Sequence, residues 1–128
     1  MVGLKLSAKA QLTIDMLQSA RRKFDRIHSL VEQYAGMKKG DEAMMGPLSR
    51  TATEVARMFM NNGYGIMADH SNQIAMMAKR GVGKVTKLRT FRESVASVRA
   101  AMDHAEKMAI EEDKAEHAAP EPEAPPPA

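Results

Sequence analysis

Apolar residues recur at steps of three and four along nearly the whole of this chain, and that repeat leaves room for little but α-helix. The first run is Ala10, Ile14, Leu17, Ala20, Phe24, Ile27, Val31 and Tyr34, widened by Leu30, with Asp15, Arg22, Arg26 and Gln33 on the opposite side. Ser7 stands where an N-cap is needed, so a first helix is predicted over residues 7–35, with Gly36 as a left-handed terminator. The last run is Leu88, Phe91, Val95, Val98, Met102, Ala105 and Ala109, which predicts a helix over residues 85–115. Thr90 and Glu93 offer a capping box and a later start for it. Its acidic end, Glu111, Glu112 and Asp113, opposes the helix dipole and predicts fraying.

The middle of the chain carries two conflicting signals. Leu48, Ala52, Val55, Phe59, Gly63, Ile66, His70, Ile74 and Met77 share about 100° of arc at the helical period. Arg50, Glu54, Arg57, Asn61, Asn72 and Lys79 fall opposite them. Against a single helix, Asn61-Asn62-Gly63-Tyr64-Gly65 reads locally as a turn, and each interior glycine costs about 1 kcal/mol relative to alanine. A reversing turn has no reason to preserve phase, so the continuous stripe predicts one long element over residues 47–80, kinked near Gly63. Two short helices are the alternative. The connection over 36–47 holds one expected helical turn at Asp41 to Met45 and a helix entry at Gly46-Pro47, with Thr51 and Glu54 as a later capping box. Gly81-Val82-Gly83 is the second break.

Three patterned stretches with short connections give an all-α, elongated antiparallel three-helix bundle, or four helices if the Asn61–Gly65 stretch turns. The bundle is assigned to residues 1–115. Residues 116–128 form a Pro/Glu/Ala-rich tail: from His117 it reads HAAPEPEAPPPA, with five prolines. Such a segment buries too little apolar surface to offset its ordering entropy and is expected to be disordered.

The chain has no Cys, which removes disulfides, thiolate nucleophiles and Cys-ligated zinc from consideration. No apolar run approaches the ~18 residues of a membrane span, and the N-terminus lacks the apolar core of a signal peptide. A cytoplasmic protein is expected. The net charge is +3 but uneven: residues 1–40 carry eight Lys/Arg against three acids, and residues 104–128 carry two against seven.

Seven of the twelve Met lie within residues 41–80. They widen the apolar arc of the central element to about 200°, where one packing face needs about 100°. The surplus serves either a second internal neighbour or a partner, since Met adapts to both. Met58, Met60, Tyr64, Met67 and Met76 are the candidate partner contacts. A second candidate surface is basic: Arg21, Arg22, Lys23 and Arg26 on the first helix, with Lys84, Lys87, Arg89 and Arg92 at the start of the last. In a three-helix bundle that start lies beside Lys5 and Lys9, making one positive end. Such a patch suits nucleic acid, although base-stacking aromatics and recognised binding signatures are lacking there. Solvated helix faces are the plainer reading of these charges.

Other motifs carry less. KRGVGKVT at 79–86 lacks the first glycine and the final hydroxyl residue of a phosphate loop, with Ala78 and Val85 in their places. His28 has Asp25 and Glu32 nearby in sequence, but no Glu-x-x-His pattern of a metal bundle occurs. His70 falls within the apolar stripe, where a satisfied boundary histidine is the plainer reading. No constellation suggests acid–base or nucleophilic catalysis, and no cofactor is implied. The expectation is a non-enzymatic interaction or assembly protein that self-associates or binds a protein partner through its Met-rich flank. The alternatives are a basic accessory protein on nucleic acid and adsorption to a lipid or polymer surface through an opened helix face.

Overall fold

The computed structural model describes residues 6–118, with side chains as far as Glu116. Four helices follow one another: α1 (Ala8–Gly36), α2 (Met45–Asn61), α3 (Gly65–Lys79) and α4 (Lys84–Ala118), with a short 3-10 turn at Asp41–Met44 before α2. No strand occurs among the described residues. Of the tail expected from residue 116, residues 116–118 continue α4, and residues 119–128 lie outside the described part.

The start of α1 follows its local chemistry. Ser7 is extended and its hydroxyl accepts from the Ala10 N–H at 3.1 Å, satisfying one of the donors that a helix start leaves without an internal partner. Its end differs from expectation. Gly36 stays helical, and Met37, in extended conformation, donates to the Gln33 and Tyr34 carbonyls. The left-handed glycines are Gly40 and Gly63. Pro47 falls in the first turn of α2, where a missing N–H costs nothing. Thr51 lies inside α2 and Thr90 inside α4, so neither caps a helix.

The long central element is not formed; the chain reverses instead. Gly63 takes φ +83°. Tyr64 N–H donates to the Phe59 carbonyl at 2.9 Å and Gly63 N–H to the Met60 carbonyl at 3.2 Å. That pair of bonds is a Schellman motif, which closes a helix around a left-handed glycine. Asn62 adds a side-chain bond to the Met58 carbonyl at 2.7 Å. The orphan carbonyls at the end of α2 are thus satisfied locally, and α3 starts in a new phase. Its buried residues are Met67, Ala68, Ser71, Ile74, Ala75 and Ala78. Ile66, placed in the stripe by the sequence pattern, is 73% exposed.

A Cβ on Gly63 would meet no neighbouring atom, so its only penalty is the left-handed backbone. Gly63→Ala is expected to destabilise the fold by about 1–2 kcal/mol, read as a lower midpoint in thermal or urea unfolding. An unchanged midpoint would show that the chain does not turn on this glycine.

Each helix packs against two others: α1 and α3 both touch α2 and α4, while α1 and α3 do not touch each other, nor do α2 and α4. Neighbours run antiparallel. Asp25 and Glu32 of α1 pair with Arg99 and Arg92 of α4, in inverse order along the two helices. Lys87, near the start of α4, bonds the Ala78 carbonyl near the end of α3. The result is an up-down-up-down four-helix bundle. Its core holds Leu17, Phe24, Ile27, Val31 and Tyr34 from α1, Leu48, Val55 and Phe59 from α2, Ile74 from α3, and Phe91, Val98 and Met102 from α4. This connectivity also moves the start of α4. Lys84 bonds the Met37 carbonyl and pairs with Asp41 at 3.1 Å, so it lies beside the end of α1 and not beside Lys9 at its start.

Candidate interaction surface

The helices differ in length. With 17 and 15 residues, α2 and α3 are about half as long as α1 and α4, with 29 and 35. The α2–α3 turn therefore faces the α1–α4 pair across a cleft of about 720 Å³. Gly63, Tyr64, Gly65, Ile66 and Met67 form one wall, Ala101, His104, Ala105, Met108 and Ala109 the other, with Lys9, Thr13 and Glu112 at the margin. The floor is Met67, only 5% exposed, and the lips are Ile66 and Met108, 73% and 38% exposed. Leu12 and Met60 are also exposed at this end. Four of the seven large exposed hydrophobics among the described residues therefore gather here; the same end of the bundle concentrates apolar surface that water would otherwise wet.

The candidate Met contacts divide. Tyr64 and Met67 line the cleft, and Met60 stands exposed one turn before Tyr64. Met58 packs partly buried against the core. Met76 is exposed, but about 18 Å further along α3. Sequence reasoning missed Ile66, Ala101, His104 and Met108. Ile66 was assigned to the core by phase, and the facing residues of α4 become a wall only because α3 begins where it does.

The basic candidates do not converge. Arg21 pairs with Asp103 at 3.0 Å and Glu106 at 3.4 Å, and Lys23 with Glu54 at 3.8 Å. Arg92 grips both carboxylate oxygens of Glu32, at 2.9 and 3.2 Å. Lys84 is held by Asp41 and lies 4.8 Å above the Tyr34 ring. Lys87 is buried, its ammonium donating to the Ala78 carbonyl at 3.3 Å. Arg22, Arg26 and Arg89 remain exposed, on α1 and α4. Most of the expected cluster therefore stitches helices together.

The electrostatics follow from the same pairings. The Arg92 hydrogen bond holds the Glu32 carboxyl below its ordinary 4.5 against an opposing effect of burial, and the Arg92 charge adds to the lowering. The Glu32 bond and charge raise Arg92 in turn. Burial, then the nearby Asp41 and Glu42, push the Tyr34 phenol up. His28 sits between Arg99 Nη at 3.3 Å and Glu32 at 3.8 Å; His104 is exposed in the cleft wall and His70 is partly buried on α3. No group of three or more metal-ligating side chains occurs among the described residues, and no described helix is long and apolar enough to cross a membrane.

A second cleft, about 500 Å³, runs along the exposed side of α2 between Met45, Ser49, Arg50, Thr53, Arg57 and Lys79. Six of its nine lining residues are polar or charged and none is a large exposed hydrophobic, so it lacks the apolar lips of the first. No protein-family model matches the chain, and neither a curated protein nor a solved structure does.

Proposed function

We propose that this is a non-enzymatic, cytoplasmic interaction protein whose apolar cleft at the α2–α3 turn receives a helix of a protein partner, a second copy of the chain included. The observation that carries this reading is the exposure of Ile66 and Met108 as facing lips above the buried Met67. An apolar helix face laid in such a groove is a recurring mode of recognition, and a methionine lip such as Met108 adapts to the shape it meets. Within this reading, Met60 and Tyr64 of the original candidates border the occupant, and Met76 lies outside its reach.

The test is a pair of substitutions at exposed positions, Ile66→Lys with Met108→Lys, which leave the core intact. Molar mass in solution is measured across concentration, and proteins recovered with the chain from native lysate are compared. The expected result is a native-like circular dichroism spectrum with loss of self-association, or of one specific recovered protein. A wild-type chain that is strictly monomeric, and whose recovered proteins are indifferent to both changes, rejects the reading.

A further inference from the structure

The opposite end of the bundle has a different character. It is formed by the end of α1, the connection to α2, the end of α3, and the loop into α4, drawn together by the Lys84 bond to Met37 and the Lys87 bond to Ala78. Residues 33–45 and 78–91, which build it, contain seven Lys/Arg against Asp41 and Glu42. Lys38, Lys39, Lys79, Arg80 and Arg89 are exposed, and none of them is in an ion pair among the described residues. Asp41, by contrast, is neutralised by Lys84 at 3.1 Å.

Amid these cations stand two bare aliphatic side chains. Val82 is 40% exposed and Val85 is 72% exposed. Val82 lies between two glycines, and a Cβ built on either Gly81 or Gly83 would meet nothing within 4 Å. The space beside both glycines is thus open, and Val82 and Val85 lie exposed among basic side chains. The other end of the molecule is the reverse: residues 8–21, 60–69 and 103–116 hold four Lys/Arg, including the Arg21 that pairs with Asp103 and Glu106, against eight acids. The bundle is therefore charged lengthwise, positive at the valine loop and negative at the cleft.

We propose that the positive end docks on an anionic lipid bilayer, with Val82 and Val85 entering the headgroup layer and the surrounding Lys and Arg held by lipid phosphates and carboxylates. Each cation near a negatively charged leaflet adds attraction, and apolar side chains at the boundary add a term that salt does not screen. The lengthwise charge separation turns the acidic end away from the surface, so the bundle stands end-on and the cleft faces the cytoplasm. Nucleic acid is the other polyanion such charge suits. A single strand needs stacking aromatics, and the aromatics of this end, Tyr34 and Phe91, are buried. A duplex backbone has no use for two exposed valines among the cations.

The experiment is co-sedimentation of the full chain with vesicles of phosphatidylcholine alone, or of phosphatidylcholine with about one-third phosphatidylserine, across a salt series. A duplex DNA and a single-stranded RNA are run as parallel probes. Binding to the serine-containing vesicles only, weakened by salt, is expected. Val82→Ser with Val85→Ser, which adds no charge, is expected to lower that binding about tenfold without changing helical content. Lys38→Glu with Lys39→Glu is expected to lower it too. Equal binding to both vesicles, no vesicle binding, an unaffected valine variant, or capture of nucleic acid in place of vesicles each overturns the proposal. None of these outcomes touches the cleft at the opposite end.

Discussion

Phe91→Ala is expected to lower the unfolding free energy by about 3–5 kcal/mol. Phe91 has no exposed surface. Its ring meets Tyr34 edge-on at 6.1 Å between centroids, and Tyr34 in turn lies beneath the Lys84 ammonium. Deleting the ring removes apolar burial and leaves a void that a close-packed interior fills only in part. It also removes the aromatic pair, itself worth about 0.5–1.5 kcal/mol. A domain stable by about 5–15 kcal/mol loses a third or more of its margin. Urea unfolding should show a lower midpoint at similar slope, or no cooperative transition at all. The neighbouring Arg92→Ala breaks a solvent-screened pair whose side chains are 53% and 45% exposed, and should move the midpoint little. Should Phe91→Ala move it as little as that, α1 and α4 do not pack around this ring.

Much of the bundle is legible without coordinates. Every apolar residue of the first run, from Ala10 to Tyr34, is buried, because one helix face and one core face coincide over the whole of α1. Ser7 as a cap and Gly81 to Gly83 as a break follow from local chemistry in the same way. The positive end is not legible in this manner. Lys84 and Lys87 read as members of a surface cluster, since nothing in the spacing of lysines tells that one will satisfy the end of α1 and the other the end of α3. Their role depends on which helix ends meet, and that depends on the turn at Gly63.

The turn itself shows how two correct signals can be weighed wrongly. Asn62 and Gly63 are the residues a Schellman motif uses, and the local reading as a turn has a mechanism. The continuous stripe has none, because phase across a break is free to coincide. Once the chain reverses, the wide apolar arc of the central element resolves into two narrower faces on two helices, and the surplus Met residues divide between core and cleft. Met67 belongs to the core and Met60 to the surface for this reason. The same reversal sets the cleft, since a hairpin shorter than the pair it packs against leaves the α4 wall uncovered.

The two isoleucines of α3 separate the two readings of the centre. In one long helix, Ile66 and Ile74 share the buried stripe and both resist truncation. In the observed fold Ile74 has no exposed surface and Ile66 is 73% exposed. Ile74→Ala is therefore expected to cost about 2–5 kcal/mol, through lost burial and a void beside the α2 and α4 side chains. Ile66→Ala should fall within about 0.5 kcal/mol of wild type, since its side chain gives up little on unfolding. The paired measurement, urea unfolding of both variants at one pH and temperature, is independent of any partner if made on a monomeric sample. Similar losses at both positions would restore the continuous helix, and with it a cleft-free centre. A large loss at Ile74 alone fixes the phase of α3, and leaves Ile66 free to be the lip of the cleft.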